Sequence, residues 1–131
     1  MDKTKLKVDD LVYPDLSYKI VGMLFDVYNS VGYGQNEKIY QRAVAVVLKS
    51  KGLKFREQVY FPLSYGGHKI GSGYLDFLIE DKVILEIKKG DRFVKSHIDQ
   101  VYGYLAGNNL KLGILTYFAP RNVHFKRIVN V

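Results

Sequence analysis

Between residues 17 and 31 the apolar side chains Ile20, Val21, Leu24, Phe25 and Tyr28 recur at helical spacing, which predicts an amphipathic helix. Gly32-Tyr33-Gly34 is its stop, because glycine enters the left-handed backbone region without a Cβ penalty. A second helix is predicted over residues 36–50, with Ile39, Ala43, Val46 and Val47 facing inward. Asn36 is placed to cap it by accepting from a free amide of the first turn, and Gly52 closes it.

The period then falls from 3.6 to 2. Phe55, Val59, Phe61 and Leu63 alternate with Lys54, Arg56, Gln58 and Tyr60, the pattern of a half-buried strand. Glu57 interrupts the apolar face, and Pro62 points to a sheet edge, where a missing N–H costs least. Gly66-Gly67 turns the chain into a second strand, residues 68–79, in which Gly71 and Gly73 suggest a bend or bulge. Glu80-Asp81-Lys82 is a short turn before a third strand, residues 83–89. A third helix over residues 95–108, a strand over 111–118 and a last short strand over 123–129 complete the pattern. In the third helix Ile98, Val101, Tyr102 and Leu105 form the expected core stripe.

This order, α-α-β-β-β-α-β(-β), predicts an α/β fold. Antiparallel hairpins are followed by a crossover helix that returns the next strand in parallel, giving a mixed central sheet flanked by helices. Neither a repeat nor a linker divides the chain, so residues 1–131 read as a single domain, with residues 1–12 as a flexible or extended arm.

Composition narrows the function classes. The chain has no cysteine, which excludes disulfides and thiolate metal sites. No apolar run approaches the roughly 18 residues needed to span a bilayer, and Met1 to Lys7 lacks the apolar core of a signal peptide. A cytoplasmic protein without membrane contact is therefore expected. Twenty Lys and Arg against 13 Asp and Glu give a net charge of +7, which favours polyanionic partners through counterion release.

Asp76 is the residue that gives this charge a chemistry. It stands inside Tyr74-Leu75-Asp76-Phe77-Leu78-Ile79, where aspartate is out of place unless it has a partner. If the following turn centres on Asp81, Asp76 lies opposite Glu86, with β-carbons about 5 Å apart. Lys88, two residues beyond Glu86, points to the same side, while Val83, Leu85 and Ile87 point to the other. Two carboxylates this close repel unless a cation joins them. Mg²⁺ or Mn²⁺ suits such a site, because one or two carboxylates plus substrate phosphate satisfy it. A bound metal lowers the pKa of water and neutralises phosphate charge, and a neighbouring lysine stabilises what remains. This is equipment for phosphodiester hydrolysis. Gln100 and Tyr104, one turn apart on the third helix, share a face from which they could bind phosphate oxygens, and His97 lies near the same side.

Other residues weigh less. His68, His97 and His124 have no metal-binding spacing, and Ser96-His97 is not a hydrolase triad by adjacency. Lys88-Lys89-Gly90-Asp91-Arg92 with Lys95 reads either as a solvated loop or as a phosphate-contacting rim. Lys89, Arg92, Lys95 and His97 are the candidate nucleic-acid contacts. Tyr33, Phe93 and Tyr117 are candidates to stack on a base.

Taken together, Asp76, Glu86-x-Lys88 and Gln100-x-x-x-Tyr104 resemble motifs II to IV of the PD-(D/E)XK nuclease superfamily. Gly34-x-x-Glu37-x-x-Tyr40 resembles the signature of its small GxxExxY branch, and the similarity runs from about Leu11 to Val129. Two departures are visible: Tyr33 stands where relatives often carry proline, and Thr116-Tyr117-Phe118 replaces a commoner Ile-Asn-Phe. The resemblance implies a restriction-endonuclease-like α-β-β-β-α-β core and a Mg²⁺- or Mn²⁺-dependent nuclease acting on nucleic acid, DNA above all. It implies Asp76, Glu86 and the Ile87 carbonyl as metal ligands, with Glu37 as the helix carboxylate beside them and Glu57 as the alternative for that role. Lys88 would be the catalytic lysine, and Gln100 and Tyr104 the helix pair. A homodimer is one way for so small a domain to engage both strands. The rival expectation is a catalytically silent nuclease-fold module that binds nucleic acid as a subunit or adaptor.

Overall fold

The computed structural model describes residues 12–131. The expected arm therefore lies outside the described residues except for Val12, which is packed against the core and whose carbonyl accepts from the Arg127 guanidinium at 2.6 Å. Eight elements follow: α1 (Pro14–Val31), α2 (Glu37–Ser50), β1 (Phe55–Tyr65), β2 (His68–Ile79), β3 (Val83–Lys89), α3 (Lys95–Gly107), β4 (Leu112–Phe118) and β5 (Val123–Val129).

The strands form one sheet in the order β1-β2-β3-β4-β5. β3 and β4, joined through α3, are parallel, and the other neighbours are antiparallel. The expected mixed sheet is thus present, with α3 as its crossover. β1 is an edge strand, as Pro62 suggested. All seven residues of β4 are buried, as a strand covered on both faces requires. Helices α1 and α2 cover one face over Phe77, Ile79, Leu85, Ile87 and Phe118. On the other face α3 packs over Phe61, Leu75, Leu78, Ile84 and Leu115. Among the described residues no helix is long and apolar enough to cross a membrane.

The local signals act as expected at several boundaries. Asn36 caps α2, its side chain accepting from the Ile39 N–H at 2.9 Å. Gly32 ends α1 with φ 78°, its own N–H bonded to the Tyr28 carbonyl. α1 starts earlier than periodicity indicated, at Pro14, whose fixed φ suits the first helical position.

Two helix faces differ from expectation. In α2 the buried line is Tyr40, Val44 and Leu48, whereas Val46 is 69% exposed. Tyr40 can be buried because its hydroxyl donates to the Gly32 carbonyl at 2.6 Å, leaving the ring free to stack on Phe118. In α3 it is Tyr104 that is buried with Val101 and Leu105, while Tyr102 is 47% exposed. Gly73 explains the choice: a Cβ there would lie 1.8 Å from the Tyr104 hydroxyl, so glycine opens the seat for that ring.

Candidate active site

The hairpin between β2 and β3 sets the register of the site. Glu80 and Asp81 both take positive φ, 53° and 55°, and the Lys82 N–H closes on the Ile79 carbonyl at 3.0 Å. A turn of this hand matches the right-handed twist of the strands it joins. Ile79 then pairs with Val83, Leu78 with Ile84 and Phe77 with Leu85, so the turn is centred on Asp81. The next position in that register is Asp76 opposite Glu86.

The ladder stops there and the two carboxylates take it over. The Asp76 N–H donates to the Glu86 carboxylate at 2.7 Å, and the Ile87 N–H donates to the Asp76 carboxylate at 2.8 Å. Each acidic side chain thus satisfies a backbone amide of the opposite strand that the ladder has abandoned. Both residues are buried, Asp76 at 9% and Glu86 at 5% exposure.

A second irregularity opens the sheet at the same level. Along β1, Phe55 packs on the α1/α2 side but Val59 and Phe61 pack on the α3 side, so strict alternation inverts between them. β2 inverts opposite: Phe77 belongs to the α1/α2 core, Leu75 to the α3 core. Gln58 lies at the crossing with φ 48°, a backbone conformation costly for a side chain with a Cβ. The inversion also accounts for Glu57, which shares a face with Phe55 rather than with Val59. Glu57, Gln58 and Asp76 line a cleft of about 570 Å³ with Glu37, Lys38, Gln41 and Arg42 of α2.

Burial first, and then the charge of the facing carboxylate, pushes Glu86 up to about 8. Burial likewise raises Asp76, opposed by the Ile87 N–H and by Lys88. Lys88 Nζ lies 4.0 Å from the Glu86 carboxylate. One ammonium does not offset two buried carboxylates, so the pair retains a proton or takes up a cation. Among the described residues no three carboxylate or histidine side chains converge as a ready metal cage. The donors that do converge are oxygen atoms of Asp76 and Glu86. Each already accepting oxygen retains a second lone pair, which fits a hard divalent ion that keeps much of its water.

The helix carboxylate Glu37, first residue of α2, accepts from the Lys89 N–H at 3.1 Å and so reaches the end of β3. Sequence reasoning missed Gln41, whose amide donates to Asp76 at 3.1 Å and in turn accepts from Gln58 at 3.4 Å. Its position one helical turn after Glu37, on the same face, was the available signal. His97 lies close enough to Lys88 to feel its charge. The Tyr117 hydroxyl accepts from the Val94 N–H at 3.1 Å and is hydrogen-bonded to His97 Nδ1, which fixes the orientation of the imidazole. Partial burial and Lys88 lower the His97 pKa, in keeping with a neutral ring.

The remaining candidates are more dispersed. No hydrogen bond joins Gln100 or Tyr104 to the carboxylates: Gln100 is exposed, and Tyr104 is seated between Gly73 and Phe61. Tyr117 is buried, so it positions His97 and is not available to stack on a base. Phe93 and Tyr33 are partly exposed, and Lys89 Nζ lies 5.9 Å from the Tyr33 ring centroid. Arg92 pairs with Asp91 at 3.8 Å and Lys95 with Asp99 at 2.6 Å, both in solvent.

A sequence model of the PD-(D/E)XK nuclease superfamily matches residues 14–128. The chain belongs to that superfamily. No curated protein matches it. Among solved structures it is similar to that of SSO0001, with TM-score 0.58 and 22% identity, over 92% of this chain and 59% of that one. It is also similar to an alkaline exonuclease (LHK-Exo) from Laribacter hongkongensis, with TM-score 0.53 and 15% identity, over 72% and 56% respectively. The chain thus spans less than two thirds of either protein, and at these identities the likeness is one of fold. The nuclease fold expected from the motifs is the one present.

Proposed function

We propose that this chain is a nuclease of the GxxExxY branch that hydrolyses phosphodiester bonds in DNA and depends on a divalent cation, Mg²⁺ or Mn²⁺. The observation that carries this reading is the buried Asp76–Glu86 pair, cross-bonded to opposite strands with Lys88 4.0 Å from Glu86. The pair closes the sheet by these bonds, but two buried carboxylates of raised pKa repel when both are ionised, and a cation bound between them would relieve that repulsion.

Asp76, Glu86 and the Ile87 carbonyl would hold the cation, with Glu37 beside them; when bound, it would acidify a water molecule and neutralise phosphate charge. Lys88 is held by Glu86 on the open side of the pair, where its ammonium can donate to a phosphate oxygen or to the attacking water. Gln41 fixes the Asp76 carboxyl from α2, and Glu37 fixes the end of β3 through Lys89. His97, oriented by Tyr117, turns its Nε2 edge away from that hydroxyl and lies within the field of Lys88. Exposed Gln100, Arg92 and Lys95 form the rim that meets the backbone of the nucleic acid, and the net charge of +7 supports a polyanionic substrate.

The test is to incubate purified protein with single- and double-stranded DNA and RNA in Mg²⁺, Mn²⁺ or EDTA. Cutting that requires the metal and disappears in Asp76→Asn and Lys88→Ala is expected. Cutting that survives both substitutions, or no cutting on any substrate, would overturn the reading. Binding without turnover would point instead to a silent nucleic-acid-binding module.

A further inference from the structure

Beyond the inversion at Gln58 and Asp76, the β1–β2 hairpin carries large aromatic side chains in solvent. Tyr60 and Tyr74 are paired across the strands, their ring centroids 5.6 Å apart at 63°, and they are 44% and 63% exposed. Their strand neighbours Phe61 and Gly73 face Tyr104 of α3, so alternation turns both tyrosines to the opposite face, the side on which α2 and the cleft lie. Had alternation run on from Phe55 and Glu57 without the inversion, Val59 and Phe61 would have occupied that face instead.

Within the hairpin itself the charge around the pair is of one sign. Residues 58–75 contain no aspartate or glutamate. Lys69 Nζ stands 5.2 Å from the Tyr60 ring centroid, and the adjoining cleft is lined by Lys38 and Arg42 together with the site-side acids Glu37, Glu57 and Asp76. Tyr74 precedes Asp76 by two residues on β2, about 7 Å of strand. An aromatic surface with a cation at its margin, continuous with a phosphodiester-cleaving site, has the chemistry that holds unpaired bases by stacking and their phosphates by charge. A duplex keeps its base faces covered except at its two ends and offers the platform little.

We propose that Tyr60 and Tyr74, with Lys69, form a platform that stacks an unpaired base of single-stranded nucleic acid and directs that strand toward Asp76. The destination of the strand rests on the nuclease reading above; the binding itself does not.

The experiment is a fluorescence-anisotropy titration in EDTA, with labelled oligothymidylate and a blunt DNA duplex as probes. It compares the wild-type chain, the Tyr60→Ala/Tyr74→Ala double variant and the Tyr60→Phe/Tyr74→Phe double variant. The alanine variant should bind oligothymidylate about 5- to 100-fold more weakly, the loss of one stacked base, with duplex binding little changed. The phenylalanine variant, which keeps the rings, should bind as wild type does. Equal losses on both probes, an unaltered alanine variant, or a wild-type chain with no affinity for the single strand would each overturn the platform. Cutting in Mg²⁺ is read separately. If the wild-type chain fails to cut, the nuclease reading falls while the titration still decides the platform; if it cuts and the titration shows no difference, only the platform falls.

Discussion

Asp76 and Glu86 each bind the backbone of the other's strand: the Asp76 N–H donates to the Glu86 carboxylate, and the Ile87 N–H donates to the Asp76 carboxylate. The acids proposed for the chemistry are therefore also what closes the sheet where the β2–β3 ladder ends. Removing the charge and removing the acceptor are different operations at this site, and they separate experimentally.

Asp76→Asn keeps an oxygen that can accept from Ile87 but removes the negative charge. It is expected to fold with near-native stability and to lose cutting. Asp76→Ala leaves the buried Ile87 N–H and the Gln41 amide without a partner and should cost about 1–3 kcal/mol. Urea unfolding of the two variants beside the wild type makes the comparison. Equal stability of Asp76→Ala and wild type would show that the carboxylate does not close the sheet.

The raised Glu86 pKa fixes the sign of the pH dependence without metal. Glu86 titrates near 8 in the fold, against 4.5 in its ordinary state. Below the lower value the carboxyl is protonated in both folded and unfolded chains, and its contribution to stability is fully present. Between the two values the folded chain holds more protons, so stability falls as pH rises, by up to about 1.4 kcal/mol per unit, and the loss is complete above the folded value. Glu86→Gln removes this slope. In EDTA, the wild-type melting temperature should drop from pH 5 to pH 9 and that of Glu86→Gln should drop less. Parallel curves for the two proteins would contradict the assignment.

A cation that replaces the shared proton reverses the same penalty. Mg²⁺ or Mn²⁺ should raise the melting temperature, and by more at pH 9 than at pH 6, where protons compete for the same oxygen atoms. At a hundredfold excess over Kd the stabilisation is about 2.7 kcal/mol. Differential scanning fluorimetry across a metal titration reads it, with the Asp76→Asn/Glu86→Gln double variant as reference. An equal shift in the double variant would place the ion elsewhere.

Much of this site was legible before the structure because register is a short-range property. Once the turn centred on Asp81, the opposition of Asp76 and Glu86 followed, and Asn36, Gly32 and Pro62 act through local backbone chemistry that one sequence states directly. What was not legible depends on distant partners. The inversion at Gln58 exists only because β1 and β2 change faces together, so Glu57 looked like an exception and Tyr60 like an ordinary outward residue. The faces of α2 and α3 differ from expectation because distant partners choose which residue is buried: Tyr40 by reaching the Gly32 carbonyl, and Tyr104, not Tyr102, by filling the space that Gly73 leaves. Tyr117, expected as a base contact, is a core residue whose hydroxyl reaches His97.

The seat of Tyr104 separates a packing role from a chemical one. Among the described residues its hydroxyl makes no hydrogen bond, while its ring packs on Phe61. Tyr104→Phe should therefore retain stability and most of the cutting rate, whereas Tyr104→Ala should lose about 3–5 kcal/mol by leaving a cavity under β2. Gln100→Ala, on the exposed rim, should weaken substrate binding at unchanged stability. Steady-state kinetics with thermal melts distinguishes these outcomes, and a Tyr104→Phe protein that folds normally but does not cut would return the phenol to the site.

Glu37 and Glu57 both line the cleft beside Asp76, and they differ in what they hold. The Glu37 carboxylate accepts from the Lys89 N–H and so fixes the strand end that carries Lys88. Its charge also acts on both Asp76 and Glu86, raising their pKa values. Glu37→Gln keeps the acceptor and removes the charge, so the fold should survive while metal-dependent cutting falls about 10- to 100-fold, the usual cost of losing a group that orients metal ligands. Glu57→Gln, at the far wall of the cleft, should change the rate little. The two single variants, assayed side by side with Mg²⁺ titrated to saturation, decide which glutamate serves the site; a larger loss from Glu57→Gln would transfer the helix carboxylate's role to β1.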